Sequence, residues 1–282
     1  MSVIEVSGLT FTYAGAKSPA IMDVNLEVSE GEFILIVGPS GGGKSTLCRC
    51  LNGLIPHFYE GEYTGSVTVC GLKVADTPTH ILSQHIGMVF QNPQNQLFSL
   101  SVEADIAFPL ENLGLPRQEI RQRVDEVLEL LNLQHLKDRS PFELSGGQQQ
   151  KVAIASVLAM KPKIILLDEP TSFLDPLSAL HLFETIDYVR KRLGLTVLMV
   201  EHRVDLAAAR TTRIVLVSGG RVVYDGGLRN FFSEYEPHAY GVSVPRVVQL
   251  SMKVGKLVKN WNTLCLSPEE FEMEVRRRVR RV

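Results

Sequence analysis

The sequence predicts an α/β fold: a mixed-sheet core, an antiparallel β subdomain, an inserted α-helical subdomain and a small helical C-terminal extension. Three observations predict it. The apolar runs at 33–37, 164–167 and 196–200 do not alternate, as in strands buried on both faces of a parallel sheet. A helical pattern over 176–193 separates the last two, giving the strand–helix–strand order of such sheets. Between about 94 and 160 the pattern is helical, which interrupts the sheet.

The elements follow in order. Val3, Ile4 and Val6, then Phe11 and Tyr13, then Ile21, Val24, Leu26 and Val28 alternate as antiparallel strands do. The run 33–37 ends at Gly38 and feeds a helix expected over 46–54. Strands are expected at 65–69 and 86–90. In the helical stretch Ile120, Val124, Val127, Leu128 and Leu131 share one face. Further strands are expected at 214–217 and 222–224. Pro237 and Pro245 then break the chain, and helical segments follow over about 245–259 and 268–281. This tail is too short for its own core, so it packs on the main domain or on another subunit. The division is a nucleotide-binding domain over 1–235, with its helical subdomain at about 94–160, and an extension over 236–282.

Composition narrows the function. The chain has 282 residues, 45% of them hydrophobic and 21% charged, as in ordinary globular domains. A net charge of -2 supplies no global attraction to nucleic acid, and no nucleic-acid partner is expected. Cys48, Cys50, Cys70 and Cys265 form no metal or disulfide framework and read as small buried residues. The first residues do not read as a signal peptide. No apolar run approaches the roughly 20 residues that span a bilayer, so a membrane role goes through a partner.

The chemistry starts at Gly38-Pro39-Ser40-Gly41-Gly42-Gly43-Lys44-Ser45-Thr46, a full phosphate-loop pattern between a strand and a helix. Its glycines let backbone amides turn towards a phosphate, and the helix N-terminus adds positive potential. Lys44 is expected to bridge the β- and γ-phosphates, Ser45 to ligate Mg²⁺ and Thr46 to bond the α-phosphate. Asp168 and Glu169 end the strand that starts at Ile164. Asp168 suits indirect Mg²⁺ coordination. Glu169, turned away from it by strand alternation, is expected to act on the attacking water. His202, after another core strand, is placed to sense the γ-phosphate. Gln91 is placed to reach Mg²⁺ or the attacking water, and Tyr13 to stack on adenine. Leu144-Ser145-Gly146-Gly147-Gln148 is a second loop that offers a hydroxyl and two flexible glycine amides to an anion arriving from outside.

These motifs, in this order, resemble the nucleotide-binding subunit of an ATP-binding cassette (ABC) transporter, a P-loop NTPase cassette. Residues 38–46 match Walker A, Gln91 the Q-loop and 144–148 the signature. Residues 164–169 match Walker B, 172–175 the D-loop and His202 the switch histidine. The resemblance implies ATP and Mg²⁺ as ligands, a head-to-tail pair of ATPases and γ-phosphate contacts in trans from Ser145, Gly146, Gly147 and Gln148, with Asp175 at the same junction. The partner ATPase is the same chain or a paralogue.

The segment Val89-Phe90-Gln91-Asn92-Pro93-Gln94-Asn95-Gln96-Leu97-Phe98 and the tail (Gly241-Val242-Ser243-Val244-Pro245, then Leu266-Ser267-Pro268-Glu269-Glu270) resemble energy-coupling factor (ECF) ATPases. That subfamily implies a membrane T subunit docked near the Q-loop and an S subunit that captures a vitamin or a transition-metal ion. It also implies peripheral placement on the cytoplasmic face of the cell membrane. Phe173 stands where the D-loop usually has a small residue, and Lys151 replaces the more frequent Arg. A conventional ABC transporter ATPase, or a soluble ABC ATPase outside transport, is the alternative. The terminal arginines 276–278, 280 and 281 read as a solvated basic helix end.

Overall fold

The computed structural model describes residues 1–258, 261 and 263–279. Its strands are β1 (Ser2–Tyr13), β2 (Ile21–Ser29), β3 (Phe33–Val37), β4 (Gly61–Val69) and β5 (Leu72–Lys73). They continue as β6 (Ile86–Val89), β7 (Ile164–Asp168), β8 (Thr196–Val200), β9 (Arg213–Ser218) and β10 (Arg221–Gly226). One sheet runs β2-β1-β4-β5 and is antiparallel. The other runs β10-β9-β3-β8-β7-β6; it is parallel except for the β9–β10 hairpin at its edge.

The non-alternating runs have a direct cause. In β3, Phe33, Leu35 and Val37 enter one core and Ile34 and Ile36 the other. In β7, Ile165 and Leu167 enter the first and Ile164 and Leu166 the second. The first core lies under the inserted helices. The second lies between the two sheets and includes Leu47, Cys48, Cys50 and Leu51. Because β3, β6, β7 and β8 are parallel, their carboxyl ends meet at one edge, where open α/β sheets bind ligands. Gly38, Gln91, Glu169 and His202 follow those ends, and Asp168 is the last residue of β7.

The helices are α1 (Lys44–Leu51), α2 (Leu54–His57), α3 (Thr79–Leu82), α4 (Val102–Asn112), α5 (Arg117–Leu130) and α6 (Gly146–Ala159). After them come α7 (Pro176–Leu193), α8 (Val204–Ala207), α9 (Leu228–Glu234), α10 (Arg246–Leu257) and α11 (Pro268–Val279). Helix α1 starts earlier and stops sooner than the expected 46–54. Gly43 (φ 107°) turns the chain into it, and Gly53 (φ 83°) turns the chain out. Strand β4 starts four residues before the expected Gly65, held by Tyr13↔Gly61 pairing. Helix α9 was not predicted. Its seven residues bury Leu228, Phe231 and Phe232, too short a segment to show a helical period.

The inserted helices α4 to α6 bury Val124, Val127, Leu128 and Leu131 as their pattern predicts. Helix α6 lies so close to β6 that a Cβ on Gly87 would sit 2.2 Å from Val157 Cγ1. The tail packs on the main domain: Val242, Val248 and Leu266 join the core under the inserted helices. In α11, Arg276 pairs with Glu272 at 2.6 Å in the open, whereas Arg278 pairs with Glu274 at 2.7 Å and lies over the Trp261 ring at 4.9 Å, so this helix end is only partly solvated. The expected helix ends at Lys259, Arg280 and Arg281 lie outside the described residues.

The Gly87 contact gives a prediction. Gly87→Ala forces a methyl into Val157 and should cost about 1–3 kcal/mol, a usual range for overpacking. Chemical denaturation of the two proteins, with an unchanged slope, checks it.

Candidate active site

The phosphate loop is shaped by what its glycines touch. Gly38 has φ 139°, and a Cβ there would lie 2.0 Å from Val217 O. Gly43 has φ 107° and would meet Ala20 O at 2.6 Å. Gly41, at φ 75°, is left-handed in open space, whereas Gly42 is pressed against Pro39 O and Val217 O, each 2.9 Å from a Cβ. Ser40 is exposed at the tip. The loop is thus wedged against β9, and α1 begins at Lys44 with no side chain capping its amides.

Lys44 is 5% exposed and folds back over the loop. Its Nζ donates to Gly38 O (2.9 Å) and Pro39 O (2.8 Å). Burial lowers its pKa, opposed by the charges of Glu169 and Asp168. Ser45 Oγ donates to Asp168 Oδ1 at 3.1 Å. Asp168 is buried, and this desolvation raises its pKa against the lowering effect of the Ser45 bond. Thr46 Oγ1 lies 3.2 Å from Tyr13 Oη, to which Arg49 Nη1 also donates at 3.0 Å. The structure therefore brings Tyr13 to the first turn of α1, edge-on to Tyr59 at 5.9 Å between ring centroids.

Glu169 gathers the second group. Gln91 Nε2 donates to its Oε2 at 2.8 Å and Ser172 Oγ to the same oxygen at 3.0 Å. His202 Nε2 lies 3.0 Å from Oε1. Gln91 is thus tied to Glu169 rather than to the Ser45–Asp168 pair. The divergence of Asp168 and Glu169 does not come from strand alternation. Strand β7 ends at Asp168, and Glu169 adopts a left-handed backbone with φ 48°.

The signature loop is helical rather than flexible. Ser145 caps α6 and forms a capping box with Gln148: Gln148 N donates to Ser145 Oγ (3.4 Å) and Ser145 N to Gln148 Oε1 (3.0 Å). Gly146 and Gly147 are the first two helical residues. Leu144 is buried while Ser145 is exposed. Asp175 accepts from Leu177 N (3.0 Å) and Ser178 N (3.1 Å), capping α7; a hydrogen bond from the Ser178 side chain, then these amide bonds, lower its pKa. Among the described residues, no hydrogen bond joins residues 145–148 or Asp175 to the Glu169 group.

Sequence reasoning passed over Glu201. It is 3% exposed and accepts from Thr171 N (3.2 Å), Thr171 Oγ1, His202 N (2.7 Å) and Arg203 N (3.0 Å). The available signal was an acid directly after the apolar run 196–200, the position that Asp168 takes after the apolar run 164–167.

Residues 21–172 match the family model described as ABC transporter. The chain belongs to the ABC transporter family. Its relatives include a Pyrococcus abyssi protein named as an ABC transporter ATP-binding protein, 42% identical over 99% of this chain and 100% of that one. The protein named HMP/thiamine import ATP-binding protein YkoD, from Bacillus subtilis, is 40% identical over 89% of this chain, which spans 47% of that protein. Among solved structures, cbiO1 of Clostridium perfringens, part of the ABC transporter complex cbiONQ, matches with TM-score 0.76 and 33% identity over 91% of this chain and 98% of that one. The cassette MJ0796, a dimer in a post-hydrolysis state with ADP and Pi, matches with TM-score 0.70 and 33% identity over 80% of this chain and 99% of that one. The chain is thus an ATP-binding, ATP-hydrolysing cassette, and such ATPases dimerise.

The cassette's two glycine sets differ physically. A Cβ on Gly146 would meet Leu174 Cδ2 at 3.5 Å and one on Gly147 would meet Ser178 Cβ at 3.5 Å, both ordinary contacts, and neither has positive φ. Gly38→Ala should therefore abolish or severely impair folding. Gly147→Ala should leave melting temperature unchanged or raise stability by up to about 1 kcal/mol, alanine being the better helix former. Thermal melts of both variants check this.

Proposed function

We propose that this chain is the ATPase of an ECF-type importer, with its site split between two cassettes. The observation that carries the split is the signature loop: its glycines meet no constraint in their own chain. A close approach from outside gives them a reason. The capping box occupies the Gln148 and Ser145 amides, and the amides of Gly146 and Gly147 beside the Ser145 hydroxyl form a positive helix end suited to the γ-phosphate of ATP held by the partner. Asp175 lies at the same face.

Within one chain, ATP phosphates would replace Gly38 O and Pro39 O as partners of Lys44. Thr46 would exchange Tyr13 for the α-phosphate, freeing the ring for adenine. Residues 38 and 40–43 supply the backbone cradle. Ser45 and Asp168 would hold Mg²⁺, and Gln91 would join them only by leaving Glu169. Among the described residues no group of three or more His, Cys, Asp or Glu could hold a metal alone, and Mg²⁺ suits such a site because phosphates complete its shell. When bound it neutralises developing phosphate charge. Glu169 then orients and deprotonates the attacking water, Gln91 and Ser172 fix its carboxylate, and His202 reports the γ-phosphate. Most of the rate enhancement comes from positioning and charge stabilisation.

The ECF assignment rests on further support. The match to cbiO1 covers 91% of the chain against 80% for MJ0796, and YkoD is named for HMP/thiamine import. Beyond Gln91 an exposed apolar group of Phe98, Leu100 and Phe108 suits an apolar segment of a membrane T subunit. Phe98 and Phe108 meet edge-on at 4.6 Å, and Phe98 N and Ser99 N donate to buried Asp105, which holds the patch in place. Among the described residues no helix is long and apolar enough to cross a membrane, which fits peripheral attachment to the cytoplasmic face. An S subunit would capture the vitamin or transition-metal ion.

Glu169→Gln should cut turnover about 10²–10⁴-fold, the scale of a general base, while ATP is still bound and the dimer stays closed. Phosphate release and gel filtration with ATP check both; normal turnover in this variant contradicts the assignment. Co-purification with a T subunit tests the ECF reading separately.

A further inference from the structure

We infer that Glu201 is a positioning residue that braces the switch histidine against the loop carrying Glu169 and Ser172. The inference rests on the reading of Glu169 and His202 given above.

The carboxylate bridges two loops that emerge from adjacent parallel strands, β7 and β8. Its Oε1 accepts from Thr171 N (3.2 Å) and Thr171 Oγ1, and its Oε2 from His202 N (2.7 Å) and Arg203 N (3.0 Å). Both Glu201 and Thr171 are nearly fully buried, at 3% and 1% exposure. A buried charge is costly unless hydrogen bonds satisfy it, and here each oxygen takes two donors. The bridge ends next to the chemistry. His202 follows Glu201 directly, and Ser172, bonded to Glu169 at 3.0 Å, follows Thr171.

The same turn is stapled twice more. Arg203 Nη2 donates to Leu174 O at 2.7 Å, and Ser243 Oγ, from the C-terminal extension, donates to His202 O at 3.2 Å. The backbone of His202 is thus held at its N–H by Glu201 and at its carbonyl by Ser243. The side chain of His202, 42% exposed, is left to meet Glu169. A brace of this kind fixes the His202–Glu169 distance without touching nucleotide.

The chemistry of the brace supplies the test. Glutamine has one accepting oxygen: with that oxygen kept on the His202 and Arg203 amides, its NH₂ faces the Thr171 N–H, and Thr171 Oγ1 must turn from donor to acceptor. In the assembled full-length protein, Glu201→Gln should lower kcat for ATP hydrolysis about 10–100-fold with KM for ATP little changed, as loss of positioning does. His202→Ala should also be slow, and the double variant Glu201→Gln/His202→Ala no slower than His202→Ala alone. Thr171→Val, which keeps the volume and removes one donor, should show the same kcat effect in milder form and carries the test where Glu201→Gln does not fold. Multiplying effects in the double variant would overturn the inference, as would normal kcat in folded Glu201→Gln or, where that variant does not fold, in Thr171→Val. If His202→Ala itself hydrolyses ATP normally, the reading of the site falls and the inference with it. If His202→Ala is slow and Glu201→Gln is not, only the inference falls.

Discussion

The site depends on one backbone turn at the end of β7. Asp168 completes the strand and stays buried beside Ser45. Glu169 turns through φ 48°, and its N–H bonds Val200 O at 2.9 Å, so the next strand holds the turn in place. A left-handed glutamate costs about 1–2 kcal/mol, and such strain persists where surrounding structure fixes it. Adjacent carboxylates thereby serve different surroundings. One sits with the hydroxyl at the start of α1, and the other with Gln91, Ser172 and His202.

The parallel sheet makes this geometry possible. Strands β3, β6, β7 and β8 release their chains at one edge, so four loops far apart in sequence converge there. The close seating of α6 on β6 at Gly87 carries the consequence outward: the helix that presents Ser145 rests on the strand that ends beside Gln91. A shift at the nucleotide edge therefore has a packed route to the signature face. The extension joins this frame through its shared core and through Ser243 on the His202 carbonyl.

Much of this was legible in the sequence. Strands at 33–37 and 196–200 and the helix at 176–193 match the structure residue for residue: runs buried on both faces leave an unbroken apolar signature, and Pro176 and Gly194 bound the helix. The phosphate loop, the two acids and His202 are visible because strand ends and glycines mark them. Three features were not legible. The turn at Glu169 is a backbone property that no residue type announces. The helical state of Gly146 and Gly147 is set by the capping box, while glycine alone suggests a flexible loop. The role of Glu201 depends on Thr171, thirty residues earlier, and only the adjacency of β7 and β8 brings them together.

In the function proposed above, the signature loop serves a nucleotide held by another subunit. The direct measurement compares ATP affinity of the isolated chain with turnover of the assembled protein for Ser145→Arg. The expected result is an affinity equal to that of the unaltered chain, together with near-complete loss of hydrolysis. Equal losses of affinity and turnover would contradict it, because Ser145 would then belong to the site of its own chain.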